Sequence, residues 1–330
     1  MREGFARGVK RAAAEDAHVV LLGCDVTRSL FLHDFATEFP AQYVSVGIAE
    51  QNAASIAAGL ALCGDKPIFA TYAAFATTRA LDQIRMSICY NHVPVLIAGA
   101  HAGLSVGPDG GSHQALEDIA VMRTLPAMQV VLPADANQTE AAVHFYLRRL
   151  DTPVYIRFGR NDVPNFTAPQ QEFRPGAEVV YQGTSGCVLL AHGAMVWNAM
   201  RAAEQLHASG IYPTVVAVKT LGDGLADPLI RDLAQEAALL VTIEEHQIQG
   251  GIGGYVAELL GETPLRPAQR LIRLGVRGAF GMSGTPEQLY DYYGLTPAKI
   301  AERVNAEIDA HIPTLINLDE CVILSSTSVV

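Results

Sequence analysis

Three groups of residues in this 330-residue chain have types and spacings that could do chemistry. The first is a lone carboxylate, Glu50, in the run Val46-Gly47-Ile48-Ala49-Glu50-Gln51-Asn52, with no other charge between Val44 and Cys63. A carboxylate in so apolar a setting makes strong hydrogen bonds. A helix-start glutamate favoured by the macrodipole is the plainer account of the same residue. The second group is the loop Gly99–His113, which holds five glycines, His101, Asp109 and His113 after an apolar run. A polar, glycine-rich loop at a strand end lets backbone and imidazoles come close to a ligand; the alternative is a long surface loop with solvated histidines. The third group is Tyr72 and Phe75, three residues apart at another strand end. Spacing alone favours a place in the core over a cofactor platform.

Two glycine motifs carry less. Leu221-Gly222-Asp223-Gly224 opens like the Gly-Asp-Gly metal motif of thiamine diphosphate enzymes, but that motif needs a later Asn and residues 245–260 contain none. It reads as a turn before a helix that starts at Asp227-Pro228. Gly250-Gly251-Ile252-Gly253-Gly254 has neither a P-loop Lys-Ser/Thr nor a dinucleotide fingerprint, so close helix packing is its expected role. His246, just before it, is expected at an interface. No metal site is expected in this chain.

The elements that must position these groups alternate. Helices are expected over Phe5–Asp16 and about 50–62, 75–90, 113–124 and 135–149. Strands are expected at His18–Leu22, Gln42–Val46, Pro67–Thr71, Pro94–Gly99, Gln129–Leu132 and Pro153–Phe158. Short strands that are apolar on both faces, each followed by a helix, signal a mostly parallel sheet covered on both sides. Residues 161–178 are turn-rich and read as a linker between domain 1–160 and a second α/β domain, 179–310. The second domain should have strands near 187–191, 214–218, 239–243 and 270–274. Its helices are expected near 195–209, 226–236, 251–261 and at Pro297–Ile308. The fold class is therefore α/β with two doubly wound domains, followed by a tail, 311–330.

Composition narrows the function classes. Lys plus Arg is 23 against 34 Asp plus Glu, a net charge of −11 with no basic run, so nucleic acid is an unsuitable partner. No apolar run approaches the ~20 residues that cross a bilayer. Five scattered cysteines form no CxxC pair, which suits a reduced cytoplasm. Half the chain is hydrophobic and its mean hydropathy is +0.20, so another subunit is expected to cover part of the surface.

Val-Gly-Ile-Ala-Glu-Gln-Asn, Pro-Asp-Gly-Gly-Ser-His-Gln and Ile-Arg-Phe-Gly-Arg-Asn, in this order, resemble the transketolase family of thiamine diphosphate enzymes. Glu-Glu-His with Gly-Gly-Ile-Gly-Gly, and Ser-Gly-Thr-Pro-Glu-Gln-Leu, resemble its C-terminal domain. The resemblance covers residues 1–310 and implies a pyrimidine-binding domain followed by that C-terminal domain. It gives Glu50 the job of hydrogen-bonding the aminopyrimidine of thiamine diphosphate, so that the ring's imino nitrogen can take the thiazolium proton. Tyr72 and Phe75 match the aromatics that flank this ring, with Tyr where Phe is usual, and Asp25 matches an aspartate near the cofactor. His113 matches a histidine that assists proton transfer at the sugar, and Asp109 the carboxylate that reads the donor's C2 hydroxyl. Arg2, Ser29, His101 and Arg160 match a set that binds the terminal phosphate of sugar phosphate substrates.

The family's diphosphate-binding half, with Gly-Asp-Gly…Asn and the ligands of Mg²⁺ (or Ca²⁺), has no counterpart here. The resemblance therefore implies the second subunit of a split transketolase. Its partner would be a chain of about 280 residues, in an α₂β₂ assembly that transfers a two-carbon ketol unit from a ketose phosphate to an aldose. Alone, the chain is expected to be dimeric at most and inactive. Rival readings are a deoxyxylulose-phosphate synthase-like half, against which His101 stands where that family tends to carry Arg, and the β subunit of a 2-oxoacid dehydrogenase. A non-catalytic partner subunit is the rival from another class; intact Glu50, Asp109 and His113 argue against it.

Overall fold

The computed structural model describes residues 1–222, 227–262 and 269–312. The tail beyond 312, and Asp223-Gly224 of the turn motif, lie outside the described residues. Two parallel-rich sheets stand side by side along the chain. The first contains β1 (Val19–Gly23), β2 (Tyr43–Ser45), β3 (Lys66–Tyr72), β4 (Leu96–Ala100), β5 (Gln129–Val131) and β6 (Val154–Arg157). The second contains β7 (Ala177–Tyr181), β8 (Cys187–Ala191), β9 (Thr214–Val218), β11 (Leu239–Gln247) and β12 (Arg270–Val276). β10 (Thr220–Leu221) leaves the second unit and pairs antiparallel with β5, so the first sheet runs β10-β5-β6-β4-β3-β1-β2.

The helices that cover the first sheet are α1 (Arg2–Glu15), α2 (Phe35–Glu38), α3 (Glu50–Leu62), α4 (Leu81–Gln83), α5 (Asp118–Arg123) and α6 (Ala136–Arg148). Those of the second are α7 (Met195–Leu206), α8 (Pro228–Glu236), α9 (Ile252–Glu262), α10 (Pro286–Tyr292) and α11 (Pro297–His311). Asp227 caps α8, accepting from the N–H groups of Leu229 and Ile230. Small residues set the tight packing of α3: Ala53, Ala54, Ala57 and Ala58 are buried against Phe69 and Ala76 in one core cluster. Asp135, the α6 cap, is fully buried and accepts from the N–H of Gln138, Phe166 and Thr167. One carboxylate thus starts a helix and fixes the chain that leaves the first sheet.

Three details differ from the sequence pattern. The second sheet begins at Ala177, two residues inside the turn-rich stretch, with a half-buried edge strand antiparallel to β9. The helix expected from 75 winds as π-helix over Phe75–Arg79 and Ile84–Cys89, on either side of α4. The helix expected from 113 starts only at Asp118, because residues 113–117 stay with the loop and the Asp118 carboxylate turns inward.

That carboxylate belongs to the junction of the two units. Arg157, at the end of β6, donates to Asp118 Oδ2 at 2.8 Å and lies 3.7 Å from the Glu245 carboxylate of β11. Tyr155 donates to the same Asp118 oxygen at 2.7 Å. Glu245 Oε2 accepts from the N–H of Leu104 and Ser105 and from the Tyr290 hydroxyl. His246 is fully buried at the junction, where its Nε2 faces the Ala120 N–H of α5. Gly253 donates its N–H to Glu244 Oε1, and a Cβ at Gly251 or Gly253 would collide with that carboxylate. The glycine cluster therefore serves close packing.

Burial pushes the Glu244 carboxyl up to about 8 and the His246 imidazole down to about 4. Glu244 is protonated in the fold, so its contribution is full below the ordinary carboxyl range and is lost as pH rises through about 8. His246 is neutral in the fold, so its contribution is present above the ordinary imidazole range and is lost as pH falls through about 4. Stability should therefore decline on both sides of neutrality. Glu244→Gln should flatten the alkaline arm in Tm measured between about pH 6 and 9, and an unchanged alkaline arm would remove Glu244 from the account.

Candidate active site

Loops at the C-terminal ends of parallel strands bring most of the singled-out residues together, where open α/β sheets hold their ligands. β1 leads to Asp25 and Ser29, β3 to Tyr72 and Phe75, β4 to the loop 101–113, and β6 to Arg160. α3 opens with Glu50 after β2. α1 starts over the same edge, and the Arg2 guanidinium donates to the Ser29 carbonyl at 3.0 Å.

At one end is a polar cluster. The Tyr72 hydroxyl donates to Ser29 Oγ at 3.0 Å, and its ring lies 4.2 Å from that of His101. Arg160 Nη1 donates to the Val106 carbonyl and to Asp109 Oδ2, at 3.0 and 3.1 Å. The Arg160–Asp109 pair is about two-fifths exposed and is worth about 0–1 kcal/mol. His101 Nδ1 and Arg2 Nε are buried without a hydrogen-bond partner. Burial, followed by the charges of Arg2 and Arg160, pushes the His101 imidazole down to about 3, so it is neutral. Burial and then Arg160 also hold the Arg2 guanidinium below its usual range, against the pull of Asp162. Two guanidiniums close enough to disfavour each other, beside orphaned nitrogen atoms, can accept an anion.

Rings lead from that cluster to Glu50. Tyr72 and Phe75 are 5.7 Å apart, and Phe75 and His113 meet edge to face at 5.4 Å. His113 Nδ1 is 2.9 Å from Ser112 Oγ. Glu50, 2% exposed, accepts from Arg79 Nη1 at 2.8 Å. The Cys24 thiol is pushed up to about 12, first by burial and then by the charge of Glu50, so it remains a thiol beside it. Asp25 stands apart, exposed at the end of β1 and outside the ring chain.

Backbone strain marks the same places. Asp25, Phe31 and His101 all have positive φ, at 61°, 57° and 54°. Such non-glycine positions cost about 1–3 kcal/mol each and persist where the surroundings over-determine them. Gly103 has φ 75° with the Glu245 carboxylate against it, so only glycine fits there. Sequence reasoning missed Arg79, the tie of Glu245 to the loop, and Phe31, whose ring lies 4.8 Å below the Arg2 guanidinium. Only the position of Arg79 inside a broken helix could have signalled it.

The profile described as "Transketolase, pyrimidine binding domain" matches residues 1–165, and "Transketolase, C-terminal domain" matches 176–300. One of the two chains of an apulose-4-phosphate transketolase from Phocaeicola vulgatus is 36% identical over 89% of this chain and 93% of its own. A 6-deoxy-6-sulfo-D-fructose transketolase subunit of a Clostridium species is 33% identical over 91% and 92%. A solved structure described as a split gene transketolase, inactive β4 tetramer, superposes with a TM-score of 0.80 at 38% identity, covering 96% of this chain and 98% of that one. 1-Deoxy-D-xylulose-5-phosphate synthases also match, as in Shouchella clausii at 36% identity, but the chain spans only 47% of that enzyme.

The chain belongs to the transketolase family, whose enzymes depend on thiamine diphosphate. It is the subunit of a split transketolase-type transferase that carries the pyrimidine-binding and C-terminal domains. Among the described residues no helix is long and apolar enough to cross a membrane.

The polar cluster yields a direct prediction. Inorganic phosphate should raise the Tm of the isolated subunit, less so at high salt. Arg2→Met should abolish the shift, and a shift of undiminished size in that variant would show that phosphate binds elsewhere.

Proposed function

We propose that this subunit, with a diphosphate-binding partner, transfers a two-carbon ketol unit from a ketose phosphate to an aldose in the cytoplasm. The observation that supports it most is the continuous path from buried Glu50, through Phe75 and Tyr72, to His101, Arg2 and Arg160. Thiamine diphosphate, when bound, supplies the carbon nucleophile that carries the two-carbon unit. The residues present fit its pyrimidine half: a buried carboxylate beside an exposed aromatic face. The described residues include no group of acids or histidines suited to a metal, so Mg²⁺ (or Ca²⁺) and the diphosphate are assigned to the partner. That partner would be a chain of about 280 residues in an α₂β₂ assembly.

Each side chain then has a task. Glu50 holds a proton at the pyrimidine ring nitrogen, which sets the ring's tautomer. Phe75 and Tyr72 fix the plane of the ring, and Asp25 lines the rim. His113, half-buried and aligned by Ser112, moves a proton at the sugar hydroxyl. Asp109 accepts from the donor's C2 hydroxyl. Arg2, Ser29, His101 and Arg160 bind the terminal anion, Arg through paired, charge-assisted hydrogen bonds. The two transketolase-subunit relatives are named for sugars with a terminal phosphate or sulfonate, which agrees with an anion subsite at this end.

The test of the reading is reconstitution. The purified chain alone should show no ketol transfer. Because a relative forms an inactive β4 tetramer, a tetramer, rather than a dimer at most, is its expected state alone. The partner should restore activity, and Glu50→Gln in the restored complex should lower kcat by about 100-fold or more while Tm is retained. Turnover by the single chain, or near-wild-type turnover with Glu50→Gln, would overturn the reading.

The anion subsite is tested by donor choice. Arg160→Ala should raise KM for phosphorylated ketoses at least about tenfold, the loss of one charge-assisted bond, and leave hydroxypyruvate nearly untouched. Equal losses on both donors would mean that Arg160 acts by holding the Val106 carbonyl and the loop.

A further inference from the structure

Glu50 already has a partner in this chain. Arg79 Nη1 donates to its buried carboxylate at 2.8 Å. The same guanidinium lies over the Phe75 ring, 4.3 Å from its centroid. Both contacts follow from the local winding. Phe75–Arg79 is π-helical, and the wide i→i+5 turn brings residues four apart nearly into line, so Arg79 stands above Phe75. Ala76 and Ala80, buried on the opposite side, hold this segment in the core cluster that also contains Ala53, Ala54 and Ala57 of α3. The Arg79 side chain itself is 43% exposed and free to reach solvent.

A flat cation that donates N–H to a buried carboxylate and stacks on an aromatic face copies the contacts of an aminopyrimidine ring. We propose that Arg79 is a placeholder for that ring. It keeps the Glu50 carboxylate paired in the unassembled subunit and swings out to solvent when the cofactor enters. The inference rests on the reading of Glu50 and Phe75 as pyrimidine-binding residues. Its physical ground is that a buried carboxylate left unpaired is costly, so an apo site that must present one benefits from a removable partner. The consequence is a penalty on binding. The ring-accepting state is the one with Arg79 displaced, and apparent affinity is reduced by the fraction of molecules in that state.

The experiment uses the complex reconstituted with the diphosphate-binding subunit, titrated with thiamine diphosphate and Mg²⁺ in a calorimeter. Arg79→Met keeps the aliphatic stem and removes the donor, and should lower the apparent Kd for the cofactor by about tenfold. The isolated Arg79→Met subunit should also melt at a lower temperature than wild type, because Glu50 loses its partner. If Arg79→Met does not fold, the wild-type complex decides alone: in its crystal structure with the cofactor, the Arg79 guanidinium should be out of hydrogen-bonding reach of Glu50. Binding by the variant that is equal to or weaker than wild type overturns the placeholder, as does an Arg79–Glu50 bond that persists beside the bound cofactor. A wild-type complex that takes up no cofactor overturns the reading of the site, and the placeholder with it. Normal uptake by wild type with no gain in the variant overturns the placeholder only.

Discussion

The carboxylate of Glu245 ties the two halves of the molecule together. It comes from β11 of the second unit, yet its oxygens accept from the N–H groups of Leu104 and Ser105 in the loop of the first. Arg157 lies between it and Asp118, all three buried. Two buried carboxylates facing one guanidinium would be unstable if any member were lost, and the surrounding N–H and hydroxyl donors make the arrangement tolerable. The loop that carries Asp109 and His113 is thus braced from behind by the second domain. Gln114 adds to this by donating to the carbonyls of both Gly107 and Met282.

Such bracing explains how strained backbone survives at the front. His101 keeps a left-handed conformation because Tyr72 packs on its ring and the loop beyond it is anchored by Glu245. Arg160 is placed by the same loop, since its N–H donates to Ser105 Oγ and its guanidinium to the Val106 carbonyl. The anion-binding end of the site is therefore built from the domain junction. The Glu50 end is built from α3 and the π-helical turn, which pack through alanines. The two ends meet only through Tyr72, Phe75 and His113.

Much of the fold was legible because its signals are local. β8, β9 and α3 occupy the residues that hydrophobic pattern assigns to them, 187–191, 214–218 and 50–62. Runs apolar on both faces leave a parallel strand few alternatives. What escaped depends on distant partners. Ala177–Tyr181 is only half-buried and follows a turn-rich stretch, so its strand exists because β9 is there to pair with. Thr220-Leu221 joins the other sheet because Val130 and Val131 offer a free edge. The start of α5 moved to Asp118 because Arg157 and Tyr155 claim its carboxylate.

By itself the sequence determined the family, the two α/β units, and residue types fit for a pyrimidine site and an anion site. These follow from short-range periodicity and from motifs whose spacing is written along the chain. Tertiary structure decided which charges meet. Arg79 is one arginine in an alanine-rich helix until the π turn sets it on Phe75 and Glu50. Glu245 is one of two adjacent glutamates until β11 brings it to the loop, while Glu244 turns to the glycines of α9. Asp109 and Arg160, 51 residues apart, form an ion pair only because β4 and β6 are neighbours in the sheet. Pairing of charges across such distances depends on the packing of whole layers, and no local pattern in the chain encodes it.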